Sequence, residues 1–504
     1  MGLSQLNNLR AASSSRIAKS CSTVATFRSR SLSTLPRRSP ISNVSASEYR
    51  SISSAFCRKM ATHAPDVHPQ DFGNFKLLQS FPIKYAPVEV AKWRSEKTGL
   101  TVVVGSHAAP VTNGHFAIAS EIFDDTGRPH TLEHLIFLGS KDYPYKGVLD
   151  HLANRAGSNG TNAWTANDHT AYTIATAGSE GFLNMLPIYI DHILHPTMTD
   201  AGFVTEVHHI NGKGEDAGVV YSEMQARENT AGDLIALQLQ RALYPESSAY
   251  RSETGGLMAK LRVLTAQQIR DYHAKYYVPH NLCLLIDGAV DLPELFNVLN
   301  EKVEPLILAN LPAGQSVPPA GWKRPFVETS TAQPLTIPSS QTKVVEFMEE
   351  DESIGEIYFT FLGPPPTDYR TNLAVKLLSD YLTSSATAPL QKEFVEIPKP
   401  LTTGIGFYTE DRVNKNEITG YASDVPAKHL ETLGDAIKEK LSKIVKEEGI
   451  DMERMGLVIR RDKRKLLNSM ESNVSGILAD AVIGGEFPAP LHLASDNVTS
   501  DADV

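Results

Sequence analysis

Cysteine is scarce in this chain: Cys21, Cys57 and Cys283 are the only three in 504 residues. Two of them fall in the first 60 residues, which excludes both a disulfide framework and a cysteine-based zinc site. Cys283 lies in an apolar run and reads as a small buried hydrophobe. No apolar stretch approaches the roughly 18–20 residues that a spanning helix needs. Gly157 and Gly160 are too few and wrongly spaced for a phosphate-binding loop. The first 60 residues are nearly devoid of acid, with eight Arg, two Lys and Glu48 alone against them. That basic, Ser-rich stretch has no secretory apolar core, and residues 1–62 read as a mitochondrial (matrix) transit peptide. If translation starts at Met60, the reading becomes a cytoplasmic protein. Without the first 60 residues the chain keeps 38 basic and 57 acidic residues, a formal charge of about −19. So acidic a body argues against nucleic acid as a partner and suits basic peptides.

Against these absences stands His130-Thr131-Leu132-Glu133-His134, an H-x-x-E-H order found in zinc sites. Positions i and i+4 share one helix face, so both imidazoles can reach one metal. Glu133 then sits beside that metal without filling a ligand position, where a general base must be. Asp125 or Thr126 would cap the helix, Pro129 suits its first turn and Gly139 its end. His115 to Ser120 reads as a strand feeding into it. Two His and one Glu on a buried helix would each cost on the order of 1–3 kcal/mol if unpaired. A metal relieves that cost, whereas exposed His and Glu on a surface helix would need none.

Catalytic zinc usually takes three protein ligands and a water. Glu223, in Val219-Val220-Tyr221-Ser222-Glu223-Met224, is the candidate third ligand. It opens what reads as one long helix reaching about Leu243. By itself Glu223 reads better as an ordinary helical salt-bridge residue; its force as a ligand comes from His130 and His134. Asn162-Ala163-Trp164-Thr165 and Asp168 to Ile174 read as two strands around a turn. His169 reads as a polar hairpin residue.

These motifs, with Leu138-Gly139-Ser140 after the helix, resemble the pitrilysin-type (M16) metalloproteases. The V-V-Y-S-E-M form is most similar to the branch that contains the presequence proteases. The resemblance covers about residues 70–490. It implies one Zn²⁺ held by His130, His134 and Glu223, with Glu133 as catalytic base. It implies a supporting acid at Asp216, for which Glu215 competes. It also implies that Asn162, Ala163, Trp164 and Thr165 form a sheet edge to which an extended peptide adds as a strand. A core hairpin with Trp164 as packing is the plain alternative.

The strand at 115–120 is echoed at 356–361, and the same offset sets Thr371–Val375 under the metal helix. The strand-then-helix order repeats without metal-binding residues. The repeat suggests a duplication, and the resemblance implies an α+β fold with duplicated units, each a mixed or antiparallel sheet with helices on one face. Residues 70–311 form the zinc-binding unit and 312–339 a linker rich in Pro. Residues 340–490 form a shorter, non-catalytic second unit, and 491–504 a polar tail. Relatives in this branch look twice as long. The expected function is zinc-dependent endopeptidase action on unfolded peptides, with pairing to a second M16 half. The alternative is a non-catalytic scaffold or a half-subunit inactive alone.

Overall fold

The computed structural model of the chain describes residues 68–311, 317–335 and 339–486. The expected basic extension and polar tail lie outside the described residues, as does part of the linker. Nine strands of the first unit begin with β1 (Phe75–Pro82), β2 (Glu89–Ser95), β3 (Thr101–Ser106) and β4 (Val111–Ala119). They continue with β5 (Ser158–Thr165), β6 (His169–Ala177), β7 (His209–Ile210), β8 (Asp216–Ala217) and β9 (Leu282–Gly288). Seven of them form one mixed sheet in the order β1-β2-β3-β9-β4-β6-β5. Only β3 and β9 run parallel. Central β9 reads Leu-Cys-Leu-Leu-Ile and is buried along its whole length, as a strand covered on both faces must be. Cys283 is part of it, 2% exposed.

Alternation along β4 sorts the two faces. Phe116 and Ile118 join the main core, where α1 (Arg128–Ile136) and α2 (Ser179–Leu194) pack. Phe116 stacks on Tyr189 of α2 at 5.0 Å. Gly114 lets α2 come close, since a Cβ there would lie 2.3 Å from the Phe182 ring. Ala117 and Ala119 point to the other face. β5 ends the sheet, so one of its edges pairs with no described strand.

Residues 200–276 supply α3 (Asp200–Glu206), α4 (Val219–Arg227), α5 (Ala231–Leu243) and α6 (Ala266–Tyr276). The single long helix expected after Glu223 is two. Thr230 accepts from the Asp233 backbone N–H and starts α5, while Arg227 at the end of α4 pairs with Asp233 at 3.0 Å.

The second unit holds β10 (Ile354–Leu362), α7 (Tyr369–Thr383), β11 (Gly404–Glu410), β12 (Glu417–Pro426) and α8 (Leu430–Lys443). Its three strands are ordered β10-β12-β11, all antiparallel. The strand-then-helix echo appears as β10 and α7. Two helices close the described chain, α9 (Met452–Ser472) and α10 (Val474–Glu486). Counted with the second unit by sequence, α10 instead packs on the free face of the first sheet. There Leu478, Ala479, Val482 and Ile483 meet Val103, Ala117, Cys283 and Leu285. No helix among the described residues is long and apolar enough to cross a membrane.

Candidate active site

Helix α1 begins at Gly127, which adopts a left-handed φ of 70° and has no side-chain cap. The expected caps are occupied elsewhere. Asp125 accepts from the Glu253 backbone and from Arg241, and Thr126 donates to Asp124. A glycine is required because a Cβ at 127 would meet the Gly255 oxygen at 2.6 Å. That close approach brings the Gly255 carbonyl to 3.4 Å from His130 Nδ1. Pro129 lies in the first turn and Gly139 follows the helix, as expected.

Two turns of α1 present His130 and His134 to the same point. Their Nε2 atoms are 3.2 Å apart. Glu223, midway along α4, has Oε2 3.5 Å from each of those nitrogens. These three residues form the one group among the described residues whose donor atoms could hold a metal. The spacing can be tested against a tetrahedral site. Zinc–nitrogen bonds of about 2.0–2.1 Å put neighbouring donors about 3.3 Å apart. The observed triangle matches that size, and the donor set of two imidazoles and a carboxylate suits zinc.

His134 turns its other nitrogen away. Nδ1 donates to Glu206 Oε1 at 3.2 Å, and Lys146 reaches Glu206 Oε2 at 3.3 Å. That bond occupies Nδ1 and turns Nε2 toward the metal position. Burial pulls the His134 pKa down, yet its bonds to Glu206 and Glu223 and the charge of Glu133 carry it up to about 9. Glu223 is held far below the usual carboxylate range by its hydrogen bonds to both histidines. Glu206 is also lowered, first by His134 and then by Lys146.

Glu206, which the sequence does not single out, is the acid set against His134; the two acids that the sequence offered lie elsewhere. Asp216 is drawn to Arg262 at 2.9 Å and to His208 at 2.7 Å, and it accepts from the Tyr221 hydroxyl. Glu215 accepts from Asn211 across a tight turn. Neither carboxylate touches His130, His134 or Glu223. The small β7–β8 hairpin stands between Glu206 and Glu223 and carries both acids away from the histidines.

Glu133 lies between the two histidines in sequence and on the sheet side of the site. Thr165 Oγ1 donates to its Oε2 at 2.5 Å. Thr165 is the last residue of the edge strand β5, so the carboxylate is anchored by the sheet edge itself. Along β5, Ala163 is buried in the main core and Asn162 is exposed. Trp164 lies on the opposite face, packed against the cluster around α10. Of these four residues Thr165 is the one hydrogen-bonded to Glu133.

Comparisons with known proteins bear on the family and the fold. Residues 97–225 match the family described as Insulinase (Peptidase family M16). Residues 264–460 match the Peptidase M16 inactive domain. An uncharacterized protein of Saccharomyces cerevisiae is 42% identical over 444 residues, 85% of this chain and 41% of the yeast protein. The mitochondrial presequence protease of Gibberella zeae is 35% identical over 232 residues, 44% of this chain and 22% of that protein. The chain thus spans about two fifths of the yeast relative's length. A protease structure from Helicobacter pylori shares the fold, with a TM-score of 0.62 at 20% identity, covering 81% of this chain and 89% of that one. With both family matches in chain order and the shared fold around them, the chain belongs to the M16 peptidase family.

Proposed function

We propose that this chain is the zinc-binding half of an endopeptidase that hydrolyses unfolded peptides. The observation that carries the reading is the donor triangle of His130, His134 and Glu223 beside Glu133, at an open sheet edge. Zinc held by those three residues would supply a Lewis acid that polarises a carbonyl and acidifies a water. Glu133 accepts the proton of the attacking water and passes it to the leaving amine. Thr165 keeps that carboxylate aimed during both transfers. Glu206 fixes the His134 tautomer. The free edge of β5 offers main-chain hydrogen bonds to any extended peptide, which favours unfolded substrates. The charge of about −19 outside the first 60 residues favours basic ones.

Two further points extend this reading. The described second unit repeats strand and helix without metal-binding residues, so it serves as scaffold. The remaining three fifths of the relatives' length would close over the site as a second half. The basic residues 1–62 and the mitochondrial relative together favour a mitochondrial setting.

The test is cleavage of an unfolded peptide by the purified chain, alone and mixed with a chain covering the rest of a full-length relative. Chelation should abolish cleavage in whichever setting shows it, and added zinc should restore it. Cleavage indifferent to chelation, or none in either setting, would overturn the peptidase reading. The outer carboxylate gives a graded check on the metal. Glu206→Ala should weaken zinc binding about 10–100-fold, measured by competition with a chromogenic chelator. An unchanged affinity would remove Glu206 from the site.

A further inference from the structure

The edge strand is held from behind by a chain of partly buried polar groups that begins in the second unit. Trp164 Nε1 donates to His169 Nε2 at 3.0 Å. That bond requires His169 Nε2 to be unprotonated, so Nδ1 carries the hydrogen and donates to Asp168 Oδ1 at 2.7 Å. Asp168 Oδ2 accepts from the Tyr250 hydroxyl at 3.4 Å. The same hydroxyl accepts from the Val413 backbone N–H at 3.2 Å. Next to Val413, the Arg412 guanidinium lies over the Tyr250 ring, 4.9 Å from its centre. Arg412 Nε donates to Glu417 at 2.6 Å, and the Tyr244 hydroxyl meets the same carboxylate oxygen at 2.5 Å.

Arg412 lies in the β11–β12 turn and Glu417 opens β12, whereas Trp164 lies in β5, Asp168 in the β5–β6 turn and His169 at the start of β6. Tyr244, Tyr250 and Phe326 form a small apolar cluster between them, with Val413 packed against it. Asn414 fastens the same turn by donating to the Thr331 and Gln333 carbonyls at 3.2 and 2.7 Å. This joint is built of charge and aromatic rings in place of a large apolar interface. Its centre is 2% exposed at Tyr250. Burial would raise the Asp168 carboxyl, but His169 and the Arg412 charge hold it below the ordinary range.

We propose that Arg412 of the second unit is a positioning residue for β5: it locks the Asp168–His169 turn that holds Trp164, and so sets the strand on which an extended peptide pairs and from which Thr165 reaches Glu133. The residue touches neither the metal position nor the peptide edge. Its effect on cleavage rests on the peptidase reading, whereas its effect on Trp164 does not.

The chain has three tryptophans, Trp93, Trp164 and Trp322, so the chain labelled with 5-fluorotryptophan gives three ¹⁹F resonances. Trp164→Phe assigns the one of interest. Trp93, buried in the main core, reports on global folding. Arg412→Ala should shift or broaden the Trp164 resonance and leave Trp93 in place. Tyr250→Phe, which removes one oxygen and keeps the ring, should move Trp164 the same way. Arg412→Lys should restore it in part. In the peptidase assay Arg412→Ala should raise KM about three- to tenfold, the worth of one hydrogen bond, with bound zinc unchanged. A Trp164 resonance unmoved in both Arg412→Ala and Tyr250→Phe would overturn the proposal. So would a shift seen only when Trp93 moves with it, since that marks general loosening. If wild-type chain cleaves nothing, the peptidase reading fails, yet the resonances still decide the role of Arg412.

Discussion

Glu133→Gln is expected to bind zinc as the wild-type chain does and to cleave peptides about 10²–10⁴-fold more slowly. The separation of the two effects follows from geometry. The donor triangle consists of His130, His134 and Glu223, and Glu133 is outside it. Glutamine has the same length and keeps an oxygen for the Thr165 hydroxyl, which lies 2.5 Å from the native carboxylate. The helix, the strand and the metal donors are therefore undisturbed. What is lost is the capacity to accept a proton, since an amide cannot take one at neutral pH. Metal analysis alongside initial rates separates the outcomes. A wild-type rate would end the assignment of Glu133 as base. A loss of zinc would mean that the carboxylate serves the metal directly.

How much of this could be read before the fold was known depends on where each group sits in the chain. His130 and His134 are legible because one helix carries both, and helical spacing alone puts them on one face. Glu223 is 89 residues from His134, so no local rule joins them; its surrounding motif did. Glu206 carries no such signal. It ends a seven-residue helix, 72 positions from the histidine it binds, and an ordinary amphipathic helix would look the same. Asp216 stood at the expected distance from Glu223, but the β7–β8 hairpin turns it toward Arg262. The break before α5 was available to a closer reading, because Thr230 and Asp233 have the spacing of a helix start. The cap of α1 was not, since Gly127 is dictated by the distant Gly255–Gly256 backbone. The same holds for α10: its sequence is apolar nearly all round, which marks burial without naming the surface that buries it.

Replacing Glu223 with Ala should remove zinc altogether, a larger effect than the roughly 10–100-fold expected when an outer partner is lost. Two imidazoles would remain, and two neutral donors on one face do not close a tetrahedral site. Glu223 is also the carboxylate that brings negative charge to the metal position, with its oxygen 3.5 Å from both histidine nitrogens. The two histidines beside it hold its carboxyl below the usual carboxylate range. Asp216→Ala is the internal control. That carboxylate is fully engaged by Arg262 and His208, and its removal should leave zinc content at the wild-type level. The measurement is zinc per chain after dialysis against a weak chelator, compared among wild type, Glu206→Ala, Glu223→Ala and Asp216→Ala. Full zinc in Glu223→Ala would exclude it as a ligand. Loss of zinc in Asp216→Ala would return the supporting role to the position that the motif first suggested. Retention there, with loss in Glu206→Ala and a complete loss in Glu223→Ala, is the order that the distances require.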